Sequence, residues 1–287
     1  MSQGFSSQLG IDTVDPVTKG YEFDHCQITK TATIVDASGI RGSRSHHSER
    51  TRAGNTTIAG MIELYPSAAD LAALLPLVLG GTPSSTTYPL ADSLSDFYVT
   101  VDKVAQVFTY AGCKVDKATF SGSAGQAMKL ALEIHGQSEA AAAAGSFPVV
   151  TFHNTPPLLF TDSVLTLVGA ARQVMDWTLV IDNKLAVRYA NSTTATSITP
   201  MDREISFQCT NPFTADELDL YGQNPAGAAA TLALTNSPTA LTFAFAALQF
   251  PDIGPSVDGR SEIQLKLNGI ARMAGSTREL VTTLALS

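Results

Sequence analysis

Charge is scarce in this chain. Asp, Glu, Lys and Arg make up 15% of its 287 residues, against about 25% in an average soluble domain, so much of the surface is expected to face other protein. Basic charge is scarcer still: 18 Lys+Arg stand against 26 Asp+Glu, a net charge of −8. A general nucleic-acid binder carries a basic footprint that holds phosphates, so the balance argues against that class. Cysteine is limited to Cys26, Cys113 and Cys209, without CxxC spacing or partner histidines. A disulfide framework and a thiolate metal site are therefore excluded, and buried free thiols are expected. Tryptophan occurs once, at Trp177, where a core anchor is expected rather than a ligand platform. No apolar run reaches 18 residues, so no transmembrane helix and no membrane anchor are expected. Residues 1–5 have neither a basic nor an apolar region, so no signal peptide is expected and the protein should be soluble and cytoplasmic when made. No glycine-rich phosphate loop is present.

Short runs rich in Val, Ile, Thr and Phe recur between Gly/Asn/Asp/Pro/Ser clusters, the pattern of an all-β chain. Residues 57–64 place Ile58, Gly60, Ile62 and Leu64 on one strand face. Residues 128–134 do the same with Met128, Leu130, Leu132 and Ile134, and residues 263–267 with Ile263, Leu265 and Leu267. Residues 177–181 and 205–209 read similarly. A helix begins at Ser67-Ala68-Ala69-Asp70, with Leu71, Leu74, Leu75, Val78 and Leu79 as its apolar stripe. Pro76 should kink or end it near Leu75, and Gly80-Gly81 stop it. A second capping box, Thr214-Ala215-Asp216-Glu217, precedes Leu218, with Gly222 ending that helix.

The two helix starts lie 147 residues apart (214 minus 67), and the offset extends beyond them. Thr31 meets Thr178, Ile34 meets Ile181, Arg41 meets Arg188, Ile58 meets Ile205 and Leu71 meets Leu218. Met128 meets Ile263 at a smaller offset of 135, which places a longer loop in the first copy at residues 82–95. The chain is expected to be mainly β, with tandem β-sandwich or barrel domains, each flanked by an α-helix. An N-terminal arm would cover residues 1–20, a first domain 21–140, a connecting segment 141–163 and a second domain 164–287. The alanine run at 140–144 marks the seam, as extended chain or as one turn of helix.

Candidate chemistry is thin. Residues 41–54 form the one basic run, with Arg41, Arg44, Arg50 and Arg52, and with His46 and His47 adjacent. Neighbouring strand residues point to opposite faces, which argues against a metal site there. The segment lacks aromatics for stacking on bases. It reads as a long polar hairpin that docks on an acidic neighbour. Ser121-Gly122-Ser123-Ala124-Gly125 lacks the first glycine of a nucleophile elbow and reads as a hairpin turn. Asp216 and Glu217 serve helix capping. No catalytic residue, cofactor or metal is expected, and the chain is not expected to be an enzyme.

The ordered features resemble a known family. Gly10-Ile11-Asp12-Thr13 and Thr18-Lys19-Gly20 lead into the extended residues 21–28. The Ile40–Ser45 run of arginines and serines follows, then Thr57-Ile58-Ala59-Gly60-Met61-Ile62-Glu63, Pro66 and the leucine helix closed by Gly80. Tyr110-Ala111-Gly112-Cys113-Lys114-Val115 precedes the strand at 128–136, with 177–183 and 198–207 at equivalent places in the second half. Over roughly residues 8–280 this order is similar to the major tail tube proteins of long-tailed (siphovirus-type) bacteriophages, in a two-domain form.

The resemblance implies a virion structural protein, made in the host cytoplasm, that self-assembles into stacked rings forming a hollow channel. Its partners would be further copies of itself, the tape measure protein, the tail terminator and distal tail proteins, and DNA in transient passage. Single-domain relatives would close a ring with six copies, so two units per chain imply trimeric, pseudo-hexameric rings, with a hexamer as the alternative. Arg41, Arg44, His46, His47, Arg50 and Arg52 would then contact the next ring. An acidic balance suits a channel that DNA must cross without sticking. The competing readings are a β-sandwich adhesion or carbohydrate-binding module and another virion protein of baseplate or decoration type. Aromatics at 7%, with Phe243, Phe245 and Phe250 in strand-like runs, argue against a sugar platform.

Overall fold

The computed structural model describes residues 3–221, 227–251, 254–255, 257 and 262–286. The chain is mainly β, as its patterning predicts. Strands His25–Asp36, Thr51–Leu64, Lys129–Gly136, the second half of Gln106–Ser123, Asp176–Asp182, Glu204–Pro212 and Gln264–Arg272 pair in that order, all antiparallel. Alternation is clearest in Lys129–Gly136, Asp176–Asp182, Glu204–Pro212 and Gln264–Arg272. In Lys129–Gly136, for example, Leu130, Leu132 and Ile134 are buried and Lys129, Ala131, Glu133 and His135 half-buried. One face thus packs on the core and the other stays polar.

The pairing order of the first half recurs in the second. Gln8–Asp12 pairs with Phe97–Asp102, which pairs with Gln106–Ser123; that long strand also takes Ser138–Ala143. Correspondingly, Ser163–Leu167 pairs with Ala228–Asn236, which pairs with Thr239–Gln249; that strand takes Leu280–Ala285. The registers define equivalent residues. Ala59 opposite His135 corresponds to Ser206 opposite Ile270, giving the expected offsets of 147 and 135.

For the preceding strand the offset is different. Thr29 opposite Ala59 corresponds to Val180 opposite Ser206, an offset of 151 (180 minus 29). The matches of Thr31 with Thr178 and Ile34 with Ile181 are therefore four residues out of register. Burial agrees: Ile181 is in the core, Ile34 is 77% exposed, and the true counterparts Ile28 and Leu179 are both buried.

The helix Ala68–Leu79 is capped as expected, with Ser67 and Asp70 exchanging hydrogen bonds. It does not stop at Pro76. Leu77, Val78 and Leu79 are all buried, and that burial outweighs the one backbone bond proline removes. Gly80, with φ of 81°, ends it. The second capping box, Thr214 with Glu217, opens a 3-10 turn and the short helix Leu218–Tyr221. There Leu220 is buried and Leu218 is 60% exposed, so Leu218 does not share the role of Leu71. Gly222 lies outside the described residues.

Further departures are local. Ile263 precedes its strand and is exposed, whereas Leu265 and Leu267 are buried. The alanine run is extended, not helical, because Ser138–Ala143 finds a ladder partner in residues 106–111. The Gln8–Asp12 strand, within the residues expected as an arm, is buried apart from Gln8. The loop at 82–95 supplies Thr87–Tyr88, which pairs on Leu280–Ala285.

One hydrophobic cluster runs through both halves. Phe120 stacks on Phe243 with ring centroids 5.2 Å apart, and Asn183 donates to the carbonyls of Val78 and Val115. Trp177 is fully buried against Gly122, where an added Cβ would fall 2.7 Å from the indole. Phe120→Ala should cost about 3–5 kcal/mol in urea unfolding of the dissociated subunit. Thr119→Ala, on the polar face next to it, should stay within about 0.5 kcal/mol.

Candidate assembly interface

Three surfaces stand out, and each follows from the strand pattern. The first is the polar face of the long sheet. Three of its lysines are held by carboxylates, whereas Lys266 is exposed. Lys129 Nζ lies 2.7 Å from Glu63 Oε2, Lys117 Nζ 2.9 Å from Glu133 Oε1, and Lys184 Nζ 2.6 Å from Glu204 Oε2. Hydrogen bonds donated to these carboxylates push all three ammonium groups up from their ordinary values, so they stay charged but neutralised. Thr, Ser, Gln and Asn side chains fill most of the remainder of the face. A surface of this kind offers a phosphate backbone few free cations.

The second surface is an open sheet edge. Residues 176–182 are paired on both sides, with 204–210 and with 117–123. Their counterparts by register, residues 25–31, pair among the described residues only with 57–63. Among the described residues no strand lies on the other edge. There the Ile28 carbonyl accepts from Lys103 Nζ and the Tyr110 hydroxyl, each at 3.3 Å, and Lys30 reaches Glu139 at 3.6 Å.

The third is the hairpin between His25–Asp36 and Thr51–Leu64. Its base is braced by the second half, through Thr57 Oγ1 and the Tyr189 hydroxyl at 2.9 Å and through the Thr56 N–H donating to the Thr193 carbonyl at 2.6 Å. Beyond that brace it projects, with nearly every residue from 33 to 52 exposed. All six residues singled out in the sequence lie at or near its tip, but they are not equivalent. Arg50 donates from Nε and Nη2 to the Ala37 carbonyl, and His46 Nδ1 lies 2.7 Å from Asp36 Oδ2, so both hold the tip's own shape. Arg41, Arg44, His47 and Arg52 form no ion pair among the described residues and face outward. In the second half the corresponding connection folds down as the short pair Ala186–Arg188 and Ser197–Thr199.

The strand's other end carries a feature sequence reasoning missed. Phe5, Tyr21, Phe23 and Phe152 line an open cleft of about 420 Å³ with Glu22 and Asp24. Phe152 is far from the other three in the chain, and the pairing of Thr151–Phe152 alongside Lys19–Gly20 brings it to them.

The three thiols are held protonated by burial. Burial pushes the thiols of Cys113 and Cys209 up to about 12 and that of Cys26 up to about 11. Among the described residues no cluster of three His, Cys, Asp or Glu side chains is placed to hold a metal. Among the described residues no helix is long and apolar enough to cross a membrane.

A polar sheet face, an open edge and a projecting hairpin are features of a structural protein that packs against others. A family model described as phage tail tube protein matches residues 4–271, and the chain belongs to that family. It is a structural component of the phage tail in the virion. No curated protein matches the chain.

On the polar face His135 Nε2 stands 3.6 Å from Asp116 Oδ2, and the Leu185 N–H donates to Oδ1 at 2.7 Å. His135 first and the Leu185 amide second hold this carboxyl below its ordinary value, against the effect of burial. A depressed folded-state pKa stabilises the fold above the unfolded value, near 3.9, and that contribution is lost as pH falls through the folded value. Urea midpoints should therefore drop between about pH 5 and about pH 2, and Asp116→Asn should drop less than the parent chain over that interval.

Proposed function

We propose that this chain is a tail tube subunit of two-unit form, in which two copies of one fold make quasi-equivalent contacts around a ring. The observation that carries the reading is the difference between the two matched edges. Residues 176–182 are covered on their second edge by the first half of the same chain, whereas residues 25–31, paired with 57–63 on one side, have no strand on the other among the described residues. A neighbouring chain would cover that edge with the far end of its own sheet, residues 264–269, which among the described residues pair on one side only. Such a contact is head-to-tail and closes a ring. Half of the lateral contacts are then made within a chain and half between chains, and three chains present six units.

In a closed sheet the hydrogen bonds run around the ring and the strands run, tilted, along the axis. The polar face would line the channel, where paired lysines and an acidic excess keep DNA and the tape measure protein from sticking. The hairpin would project beyond the ring toward the next one.

Negative-stain images of concentrated protein should show rings and hollow tubes, and native mass spectrometry of single rings should give three chains. Six chains per ring would overturn the trimer, and a monomer at every concentration would overturn the tube reading. Removing residues 43–52 should leave a folded subunit that forms rings and no longer stacks them. Stacking should also weaken in about 1 M salt, where the Debye length falls to about 3 Å.

A further inference from the structure

We propose that the aromatic cleft of Phe5, Tyr21, Phe23 and Phe152 is the socket for the hairpin tip, so that its occupant is a second copy of this chain in the adjacent ring. This deepens the ring-and-stack reading above and rests on it.

Position comes first. The cleft residues 21–24 immediately precede the His25–Asp36 strand, and the tip immediately follows it. A strand rises about 3.3 Å per residue, which puts roughly 40 Å between the two ends. With strands running along the tube axis, tip and cleft face opposite sides of the ring. Stacking identical rings in one direction brings every tip to a cleft, and each chain supplies one of each.

Surface chemistry matches as well. The tip and the strand end that carries it expose apolar side chains, Ile40 at 103% in the tip and Ile34 at 77% and Val35 at 55% just before it. The cleft exposes the complementary surface, with Phe5 at 85% and Phe152 at 38%. Burying exposed apolar area on both sides of one contact is favourable at about 25 cal/mol per Å². Charge is also complementary. Arg41 and Arg44 face outward at the tip, and Glu22 and Asp24 are exposed at the cleft. A basic projection meeting an acidic rim steers the two together and fixes their register.

Charge reversal with rescue tests this. Glu22→Arg with Asp24→Arg should give folded subunits, judged by circular dichroism, that form single rings without stacks in sedimentation velocity and negative stain. Arg41→Glu with Arg44→Glu should do the same. All four substitutions in one chain should restore tubes. If the acidic-rim variant stacks normally while removal of residues 43–52 leaves single rings, the hairpin docks elsewhere; the cleft assignment fails and the ring reading survives. If the hairpin deletion also stacks, the hairpin's role itself is wrong. A second measurement is independent of charge. Ile40→Cys with Phe5→Cys, oxidised in assembled tubes, should trap chains of adjacent rings as disulfide-linked species, absent from single rings. Normal tubes that yield no such species would overturn the proposal.

Discussion

The ladder between residues 117–123 and 176–182 is the contact on which the rest of the molecule depends. It joins two similarly wired halves into one sheet and sets Trp177 against Gly122. The same strand carries Phe120 to Phe243. Without it each half would keep an unpaired edge and a core open on one side. Backbone pairing therefore does here what a domain interface of side chains does elsewhere: it makes the two units one rigid surface, with a continuous polar face on one side.

That arrangement explains the composition. A sheet with one face in the core needs apolar residues at every second position, and the other face needs to be polar without being sticky. Threonine, serine and glutamine meet that need with little charge, and Lys129, Lys117 and Lys184 are matched by Glu63, Glu133 and Glu204. The low charge content first visible in the sequence is thus partly placed in lysine–carboxylate pairs across this face.

The strand alternation and both capping boxes were legible in the sequence because each is a local pattern with a short period. Met128, Leu130, Leu132 and Ile134 are buried as the alternation requires. The repeat was legible where the chain between landmarks kept its length, at Ile58 and Ile205. It failed at Ile34 and Ile181, because register there is set by hydrogen-bonded partners rather than by distance along the chain. Pro76 misled for a related reason: a local helix breaker was overruled by the burial of the three residues after it. The aromatic cleft left no signal, since Phe152 reaches Phe5 and Phe23 through pairing of distant strands. The open edge was likewise invisible, because exposure of a strand's backbone depends on its neighbours and not on its own side chains.

A bare strand edge pairs with any extended chain that reaches it, which makes unassembled β proteins prone to aggregate. Here the Ile28 carbonyl is already engaged by Lys103 and Tyr110, and Lys30 is tethered to Glu139. A stray strand must compete with those groups for its first hydrogen bonds and must also accommodate an ammonium group at the edge. The lone subunit carries its own temporary seal, and only a partner that offers enough further bonds in the right register gains by displacing it.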